Sequence, residues 1–418
     1  MKILFLCTDD FPNTGACTSL LRNIFFEGEL SKKISRIDIL TRTPYLPKTF
    51  YEIYNGIGIY HFPYWKYINL SVIRQYAITH PIKAIQGILS KIRYKFDEKI
   101  LKEDFLSNEA VKSYLHMLKV INKSNNYDVI IAVSGIFVTA QALVNFKKEL
   151  PKTKFVLYQV DPLSTNYSYL NLSGRSRKKL FQLEQDMYSL ANAIILTPIV
   201  ATEIEKKYNG KFHQKIFELE FPNVSLKRKG CIVSMVNRNV PCECVFTGNI
   251  YGGIRNPEFT FRLFTALSND KVNFSVVGNT DVFYLKQYPK IHFMGHQNLD
   301  ETRRIIDKSD FLVNIGNTVL NQVPSKLFEY ISTGKPIINI CKSKQCPTLP
   351  YMQEYPLCIN IFEEDPIEIQ IPAIKRFIMA SRGKLVSQNE IARLYKECTP
   401  MFCAKKMYGI FQALMGTQ

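Results

Sequence analysis

The chain has 418 residues, which is too long for one ordinary hydrophobic core and predicts two domains of roughly 200 residues each. Apolar residues make up 46% of the sequence and charged residues 22%, a globular composition that excludes collagen-like, coiled-coil and low-complexity chains. Lys and Arg outnumber Asp and Glu by 54 to 36, and the net charge of +18 favours anionic partners such as nucleic acid, acidic lipid head groups or phosphorylated substrates without choosing among them.

The first half of the chain alternates short β-branched runs with helical patterns, which is typical of a parallel sheet with crossover helices. The opening run, 2–7, is too short for a signal peptide and is predicted to be a buried strand. The other predicted strands are 37–41, 129–134, 154–160, 193–197 and 216–221, and the predicted helices are 16–29, 137–149 and 178–191. We therefore expect one Rossmann-like, doubly wound domain over 1–222.

A basic insertion, about 64–126, interrupts this domain. From Tyr64 to Lys102 there are eight Lys or Arg and two acids, interleaved with Tyr, Trp, Ile and Leu. This mixture suits an amphipathic segment on an anionic membrane surface, 64–102, and it equally suits a solvated helical insertion. The sequence leaves both interpretations open.

A polar and basic stretch, 223–241, breaks the alternation and marks the predicted domain boundary. The pattern then restarts as a second Rossmann-like domain over 223–395, with strands at 244–247, 273–277, 291–294, 311–315 and 336–341 and helices at 257–267, 300–307 and 325–333. The final stretch, 390–415, is predicted to be helical. By analogy with other two-domain architectures, 396–418 is expected to pack back on the first domain.

The window 311–340 contains the clearest indication of a ligand site. A buried strand ends at Gly316, a polar loop follows, and Pro324 with Ser325 opens a helix. This order places loop backbone and a helix start at the carboxyl edge of a parallel sheet, where such folds bind ligands. A helix start attracts a diphosphate, and Lys326 in the first turn adds a cation.

Glu329 lies one turn further along the same helix. Its carboxylate could accept hydrogen bonds from both hydroxyls of a ribose. The alternative is a surface acid on an amphipathic helix.

The segment 324–338, Pro-Ser-Lys-Leu-Phe-Glu-Tyr-Ile-Ser-Thr-Gly-Lys-Pro-Ile-Ile, resembles the donor-site segment of the retaining GT-B glycosyltransferases of family 4, or group 1, often found in bacterial polysaccharide assembly. The resemblance implies an α/β fold of two Rossmann-like doubly wound domains facing across a cleft. In that family a Glu at the position of Glu329 binds the nucleotide ribose, and a second Glu eight positions earlier contacts the donor sugar. Here Asn321 stands at the earlier position, which leaves the donor sugar open because an amide can hydrogen-bond a hydroxyl but carries no charge.

The segment 246–257 resembles the first strand and loop of the family's donor domain, where an Arg and a Lys hold the diphosphate. Arg255 matches the second cation, whereas Asn249 stands in place of the first. Arg255 and Lys326 together could still offset much of the diphosphate charge. The alternative for Arg255 is an ordinary surface cation.

Two residues of the first domain match further landmarks of the family. Gly15 lies where family members carry a glycine-rich loop, although a lone glycine is also routine in turns. Asp161, with Gln159 nearby, ends a strand where many members have a His or Asp near the reacting carbon. An Asp before a Pro is also a common turn starter.

The resemblance implies transfer of a hexose-type sugar from a UDP- or GDP-linked donor to a hydroxyl of a glycan or lipid-linked acceptor, with retention, in surface polysaccharide assembly. Departing diphosphate would be stabilised by cations. The predicted catalytic residues are Asp161, Arg255 and Lys326. The predicted donor-binding residues are Gly15, Gly248, Asn249, Arg255, Gly316, Asn317, Asn321, Ser325, Lys326 and Glu329.

Neither a metal nor a cofactor is expected besides the nucleotide sugar. The six histidines show no metal-ligand spacing and no Asp-x-Asp triplet occurs. No Gly-x-Gly-x-x-Gly follows the first strand, which argues against a nicotinamide or flavin enzyme. The ten cysteines indicate reduced thiols in a cytoplasmic protein, peripheral on the inner face of the membrane if the basic segment binds lipid.

Three alternatives remain. One is a catalytically silent GT-B-like subunit that binds a partner or a glycan, which Asn249 and Asn321 favour. Another is a sugar-nucleotide 2-epimerase of the same architecture. The third is a basic nucleic-acid-binding protein, but the sequence contains no recognised nucleic-acid module and nucleic acid is not expected as a partner.

Overall fold

The computed structural model describes residues 1–13, 15–101, 108–134, 137–149, 153–161, 163–166, 172, 174–226, 240–250 and 253–416. The chain divides into two compact units, Met1–Pro222 with Pro400–Gln418, and Asn223–Thr399. The second unit therefore starts where the alternation of the sequence breaks, and it continues to Thr399 rather than ending at 395.

The first unit is built on an eight-stranded sheet. Its strands are β1 (Lys2–Leu6), β2 (Arg36–Thr43), β3 (Phe50–Tyr54), β4 (Ile57–Pro63), β5 (Val129–Ser134), β6 (Lys154–Gln159), β7 (Ala193–Leu196) and β8 (Ile216–Glu218). They lie in the order β3-β4-β2-β1-β5-β6-β7-β8, and only the β3–β4 pair among them is antiparallel. The helices are α1 (Ala16–Arg22), α2 (Leu30–Lys33), α3 (Leu70–Thr79), α4 (Pro81–Leu101), α5 (Asn108–Asn125), α6 (Phe137–Glu149), α7 (Gly174–Leu190) and α8 (Pro198–Lys207).

Buried side chains cover both faces of this sheet. In β1, Leu4 and Leu6 belong to one hydrophobic cluster, whereas Ile3 and Phe5 belong to another. Successive side chains of a strand point to opposite faces, so a strand covered on both sides becomes a continuous apolar run. This is why the central strands are easy to predict from the sequence.

The hairpin of β3 and β4 was not predicted. Its turn is formed by Asn55 and Gly56, with φ angles of 49° and 81°. Two consecutive residues with positive φ are typical of the tight turns that join antiparallel strands, and Asn-Gly is the preferred pair. The basic insertion 64–126 follows this hairpin and contains α3, α4 and α5.

The second unit has a six-stranded, fully parallel sheet. Its strands are β9 (Cys242–Thr247), β10 (Val272–Val277), β11 (His292–Gly295), β12 (Phe311–Ile315), β13 (Ile337–Cys341) and β14 (Cys358–Phe362), in the order β11-β10-β9-β12-β13-β14. Its helices are α9 (Glu258–Leu267), α10 (Val282–Gln287), α11 (Leu299–Lys308), α12 (Lys326–Ile331), α13 (Leu349–Gln353), α14 (Ile367–Ser381) and α15 (Gln388–Leu394). The strand order reverses between β9 and β12, which makes their carboxyl ends the topological switch point of the sheet.

The final stretch, 390–415, was predicted to be one helix, but the structure divides it. It consists of α15, a short helical turn at Lys396–Cys398, and α16 (Pro400–Gly416). Proline cannot continue a preceding helix but suits the first turn of a new one, and Pro400 therefore marks the break. Within the first unit, α16 buries Cys403, Met407 and Phe411 in the same hydrophobic cluster as Phe25. In the part of the chain described above, no helix has the length and apolar character needed to cross a membrane.

Candidate functional site

Two loops meet at the switch point of the second unit. One follows β9 and the other follows β12, and both leave the carboxyl edge of the sheet because these neighbouring strands are parallel. The backbone N–H of Thr318 donates to the carbonyl of Ile254 at 2.8 Å, and its hydroxyl donates to the carbonyl of Gly253 at 2.9 Å. The two loops therefore form one connected wall.

Glycines let the neighbouring loops approach closely here. Gly248 and Gly278 have φ angles of 149° and 142°. A Cβ atom on Gly278 would lie 2.2 Å from the carbonyl oxygen of Gly248, which no real side chain tolerates. The N–H of Gly248 donates to the carbonyl of Val277 at 2.8 Å. The backbone at the end of β9 is thus packed directly against the backbone at the end of β10.

Arg255 is held between the two loops. Its Nη2 atom donates to Oδ1 of Asn317 at 3.0 Å, and its Nη1 atom donates to the carbonyl of Asn249 at 3.4 Å. The guanidinium lies 5.5 Å from the centre of the Phe246 ring. Burial lowers the pKa of Arg255, but an arginine in a protein stays charged. The side chain is therefore an oriented, half-buried cation, and this environment does not fit an ordinary surface cation.

Asn249 connects the loop after β9 to the loop after β10. Its Oδ1 atom accepts a hydrogen bond from the N–H of Asn279 at 3.0 Å. The N–H of Ile250 donates to the carbonyl of Asn279 at 2.9 Å. The side chain that stands in place of the family's first cation is thus used to hold two loops together.

The loop after β12 is held by its own residues. The N–H of Gly316 donates to the carbonyl of Ile340 at 2.8 Å, which pins the end of β12 to β13. Asn317 is buried, and its Nδ2 atom donates to the carbonyl of Gln322 at 3.0 Å. Asn321 lies half-buried in the same loop. Because Asn317 also accepts a hydrogen bond from Arg255, one amide side chain holds the loop in place and orients the guanidinium.

Lys326 and Glu329 lie on α12, the helix that follows this loop. It is a six-residue helix, shorter than the predicted 325–333, and Ser325 directly precedes it. The Nζ atom of Lys326 lies 2.7 Å from Oε2 of Glu329. Their side chains are 38% and 36% exposed, so both are within reach of a ligand.

Tyr330, which sequence reasoning missed, ties α12 to the sheet. The N–H of Thr247, at the end of β9, donates to the Tyr330 hydroxyl at 2.7 Å. Burial raises the pKa of Tyr330 to about 12, so the hydroxyl keeps its proton at neutral pH. This bond holds the helix that carries Glu329 beside the loop that begins at Gly248.

The remaining predicted residues belong to the first unit. Gly15 has a φ of 119°, and a Cβ atom there would lie 2.0 Å from Oδ2 of Asp9. That same oxygen accepts hydrogen bonds from the N–H groups of Cys17 at 2.8 Å and Thr18 at 3.3 Å. Asp9 was also missed by sequence reasoning, although an acid shortly before a helix start is a capping signal. The start of α1 is thus satisfied by a carboxylate of its own chain.

Asp161 follows β6 and is half-buried. Burial raises the pKa of Cys17, and the charges of Asp9 and Asp161 add to this rise. Gln159, the other candidate on this strand, is fully buried, and its Oε1 atom accepts from the Tyr188 hydroxyl at 2.9 Å. Asp161 is thus the more accessible of the two. Across the described ranges, no group of three or more His, Cys, Asp or Glu residues could hold a metal ion.

Neither a protein-family model nor a curated protein matches the sequence. The structure is similar to an α,α-trehalose-phosphate synthase (UDP-forming) from Burkholderia xenovorans, with a TM-score of 0.64, 9% identity, and coverage of 99% of this chain and 100% of that one. It is also similar to the lipopolysaccharide outer core galactosyltransferase WaaB, with a TM-score of 0.57, 13% identity, and coverage of 99% and 100%. A putative UDP-N-acetylglucosamine 2-epimerase from Listeria monocytogenes has a TM-score of 0.57, 10% identity, and coverage of 100% and 97%.

At these identities the likeness concerns the fold. The two parallel-sheet units and the similarity to glycosyltransferases along nearly the whole chain show that the protein has the GT-B fold, with two Rossmann-like domains.

Proposed function

We propose that this protein is a glycosyltransferase whose donor is a UDP- or GDP-linked sugar. The observation that carries the proposal is the grouping of Arg255, Lys326 and Glu329 on loops and a helix of two adjacent strands at the switch point of the second sheet. Parallel α/β sheets bind ligands at this point. Two cations and one carboxylate suit a ligand that contains a diphosphate and a vicinal diol.

Each charged group has a matching part of the donor. Arg255 is oriented by Asn317 and by the loop backbone, so it offers a preorganised cation to the diphosphate. Lys326 would exchange its bond to Glu329 for a phosphate oxygen. The carboxylate released by this exchange could accept from both ribose hydroxyls.

The reaction needs no protein nucleophile. An acceptor hydroxyl oxygen bonds to the anomeric carbon as the bond from that carbon to the diphosphate oxygen breaks, and the departing diphosphate takes the hydroxyl proton. Arg255 and Lys326 would stabilise the charge that grows on the leaving group. Asn321 would orient the sugar, which we take to be of the hexose type and to be transferred with retention and without a metal.

For the acceptor we propose a hydroxyl of a glycan or of a lipid-linked glycan, reached from the cytoplasm during surface polysaccharide assembly. The family resemblance of 324–338 supports this proposal. It also agrees with the similarity to a lipopolysaccharide outer core galactosyltransferase.

One observation favours a second candidate, a catalytically silent subunit that binds a glycan or a partner. Asn249 stands in place of a cation and is used to hold the loop after β10. A silent subunit would neither hydrolyse a nucleotide sugar slowly in water nor transfer its sugar. An epimerase, in contrast, would convert the sugar nucleotide without any acceptor.

Calorimetric titration with UDP, GDP, ADP and CMP in the presence of EDTA tests the donor site. We expect one nucleoside diphosphate to bind saturably and Glu329→Gln to weaken it about tenfold, or about 1.4 kcal/mol. Glu29→Gln is the matched control, because Glu29 lies 2.7 Å from Lys32 in the first unit and is 40% exposed. If no nucleotide binds, or if Glu329→Gln binds like the parent, the donor-site assignment is wrong.

A further inference from the structure

Helix α4 exposes six large apolar side chains and buries the small residues Ala84, Gly87 and Ser90 together with Tyr94. Gly87 packs so closely on Trp65 that a Cβ atom would lie 2.3 Å from the ring. The apolar side chains of α4 that are between 41% and 72% exposed are Ile82, Ile85, Ile88, Leu89, Ile92 and Phe96.

These six side chains form one continuous stripe. At about 100° per residue they fall within an arc of about 120°. The buried positions Ala84, Gly87, Ser90 and Tyr94 occupy the opposite side of the helix. From Ile82 to Phe96 the stripe is about 21 Å long at the rise of an α-helix. An apolar face of this kind on a soluble protein marks an interaction surface.

Exposed cations border the stripe on both sides. Viewed down the helix axis, Arg93 lies next to Ile82 at one edge of the stripe, and Lys95 lies next to Ile88 at the other edge. Both cations are exposed. Arg93 reaches Glu109 only at 3.9 Å and remains 66% exposed.

Lys91 has a different role from these two cations. Its Nζ atom donates to the carbonyls of Lys66 at 2.7 Å and Ile68 at 2.9 Å, and burial lowers its pKa. Lys91 therefore fixes the segment before α3 and is not available to a partner.

The neighbouring helix α3 extends the surface. Leu70 and Ile78 are 55% and 82% exposed, with the exposed Arg74 midway between them. Tyr67, in the turn before α3, is exposed and lies 5.2 Å from Nζ of Lys66. The described side chains of both helices thus combine exposed apolar and cationic groups.

We propose that α4, extended by α3, docks this protein on an anionic membrane surface. The apolar stripe would enter the boundary between head groups and acyl chains, and Arg93 and Lys95 would contact lipid phosphates. Charge complementarity selects this occupant, because residues 81–101 contain five Lys or Arg against Asp97 and Glu98, and the stripe itself, 82–96, contains no acid. A second copy of the chain in a symmetric contact would bring like charges together along the same stripe.

Sedimentation of the full-length protein with lipid vesicles tests the surface. We expect binding to vesicles of phosphatidylcholine mixed with phosphatidylglycerol, and at least about tenfold weaker binding to phosphatidylcholine alone, with a loss of binding at high salt. Ile85→Ser with Ile92→Ser, and separately Arg93→Gln with Lys95→Gln, should each weaken binding about tenfold. The matched control is Ile369→Ser with Met379→Ser, which removes two side chains that are 70% and 75% exposed on α14 of the second unit.

The same preparations distinguish this proposal from the donor site. All variants should keep the thermal unfolding temperature and the nucleotide affinity of the parent, because the changed side chains are exposed. Failure of the parent to bind anionic vesicles, or an equal loss in the α14 control, would overturn the proposal. The proposal would also be wrong if the parent does not bind vesicles but self-associates, and the α4 substitutions abolish that self-association.

Discussion

The Nζ atom of Lys326 lies 2.7 Å from the Oε2 atom of Glu329, so the two charged side chains of α12 are paired with each other. Both are more than a third exposed, and water screens such pairs to about 1 kcal/mol or less. The pair contributes little to stability, and a ligand with better partners for each charge can replace it.

This geometry predicts different effects for the two residues. Lys326→Gln should weaken the nucleoside diphosphate about tenfold and leave the affinity for the parent nucleoside unchanged, because the cation acts on phosphate. Glu329→Gln should weaken both ligands, because the carboxylate acts on ribose. Calorimetry with each ligand measures this split. If both variants lose the same affinity for the nucleoside, the assignment of the cation to the diphosphate is wrong.

Arg255→Lys should not preserve the function of Arg255. The guanidinium bonds Asn317 and the carbonyl of Asn249 from two nitrogens, and a lysine ammonium cannot reproduce this planar arrangement. We expect about tenfold weaker diphosphate binding and a loss of about 1 to 2 kcal/mol in the free energy of unfolding, because the buried amide of Asn317 loses its donor. Urea unfolding and calorimetry measure the two effects. Arg262→Lys, on the exposed side of α9, is the control and should change neither.

Gly278→Ala should disturb the site through the backbone alone. The new Cβ atom would lie 2.2 Å from the carbonyl oxygen of Gly248, and the φ of 142° is itself unfavourable for alanine. We expect a loss of about 2 kcal/mol or more in the free energy of unfolding, together with weaker nucleotide binding. Gly409→Ala on α16 is the control, since a Cβ there meets nothing within 4 Å and helical alanine is favoured over glycine. If Gly278→Ala unfolds like the parent, the close approach of the two loops is not required.

Much of the sheet framework could be predicted because its central strands are mostly apolar runs. The bounds of β5, β12 and α6 agree with the predicted ranges 129–134, 311–315 and 137–149. The pair β3 and β4 was missed although Asn55-Gly56 is a hairpin signal, because β3 buries none of its residues and the apolar run of β4 is interrupted by Gly58 and His61. The strand β14 was missed for a similar reason, since most of its residues are only half-buried.

The candidate site was predictable only as far as it follows chain order. The strand, loop and helix of 311–333 place Lys326 and Glu329 by local spacing. The bonds that position them are not local: Tyr330 lies 83 residues from Thr247, and Arg255 lies 62 residues from Asn317. Such pairings depend on which strands become neighbours, and no periodicity of the sequence specifies that.

Asp9 supplies a pH-dependent prediction in the first unit. Burial raises the pKa of Asp9, and its bonds from Cys17 and Thr18 only partly offset this rise. The folded protein therefore holds the Asp9 proton to higher pH than the unfolded chain, whose carboxyl has a pKa of about 3.9. The stability that this protonation contributes is present below that value and is lost as the pH rises through the folded pKa.

Asp9→Asn cannot titrate, yet its amide oxygen can still accept from the N–H of Cys17. The variant should consequently gain stability relative to the parent as the pH rises from about 4 to 7, measured by urea unfolding at several pH values. Asp9→Ala separates the cap from the charge, because it loses the bonds to Cys17 and Thr18 and should cost about 1 kcal/mol where the parent is protonated. If the parent instead becomes more stable relative to Asp9→Asn as the pH rises, the charged carboxylate stabilises the start of α1. The predicted direction of the pH dependence would then be wrong.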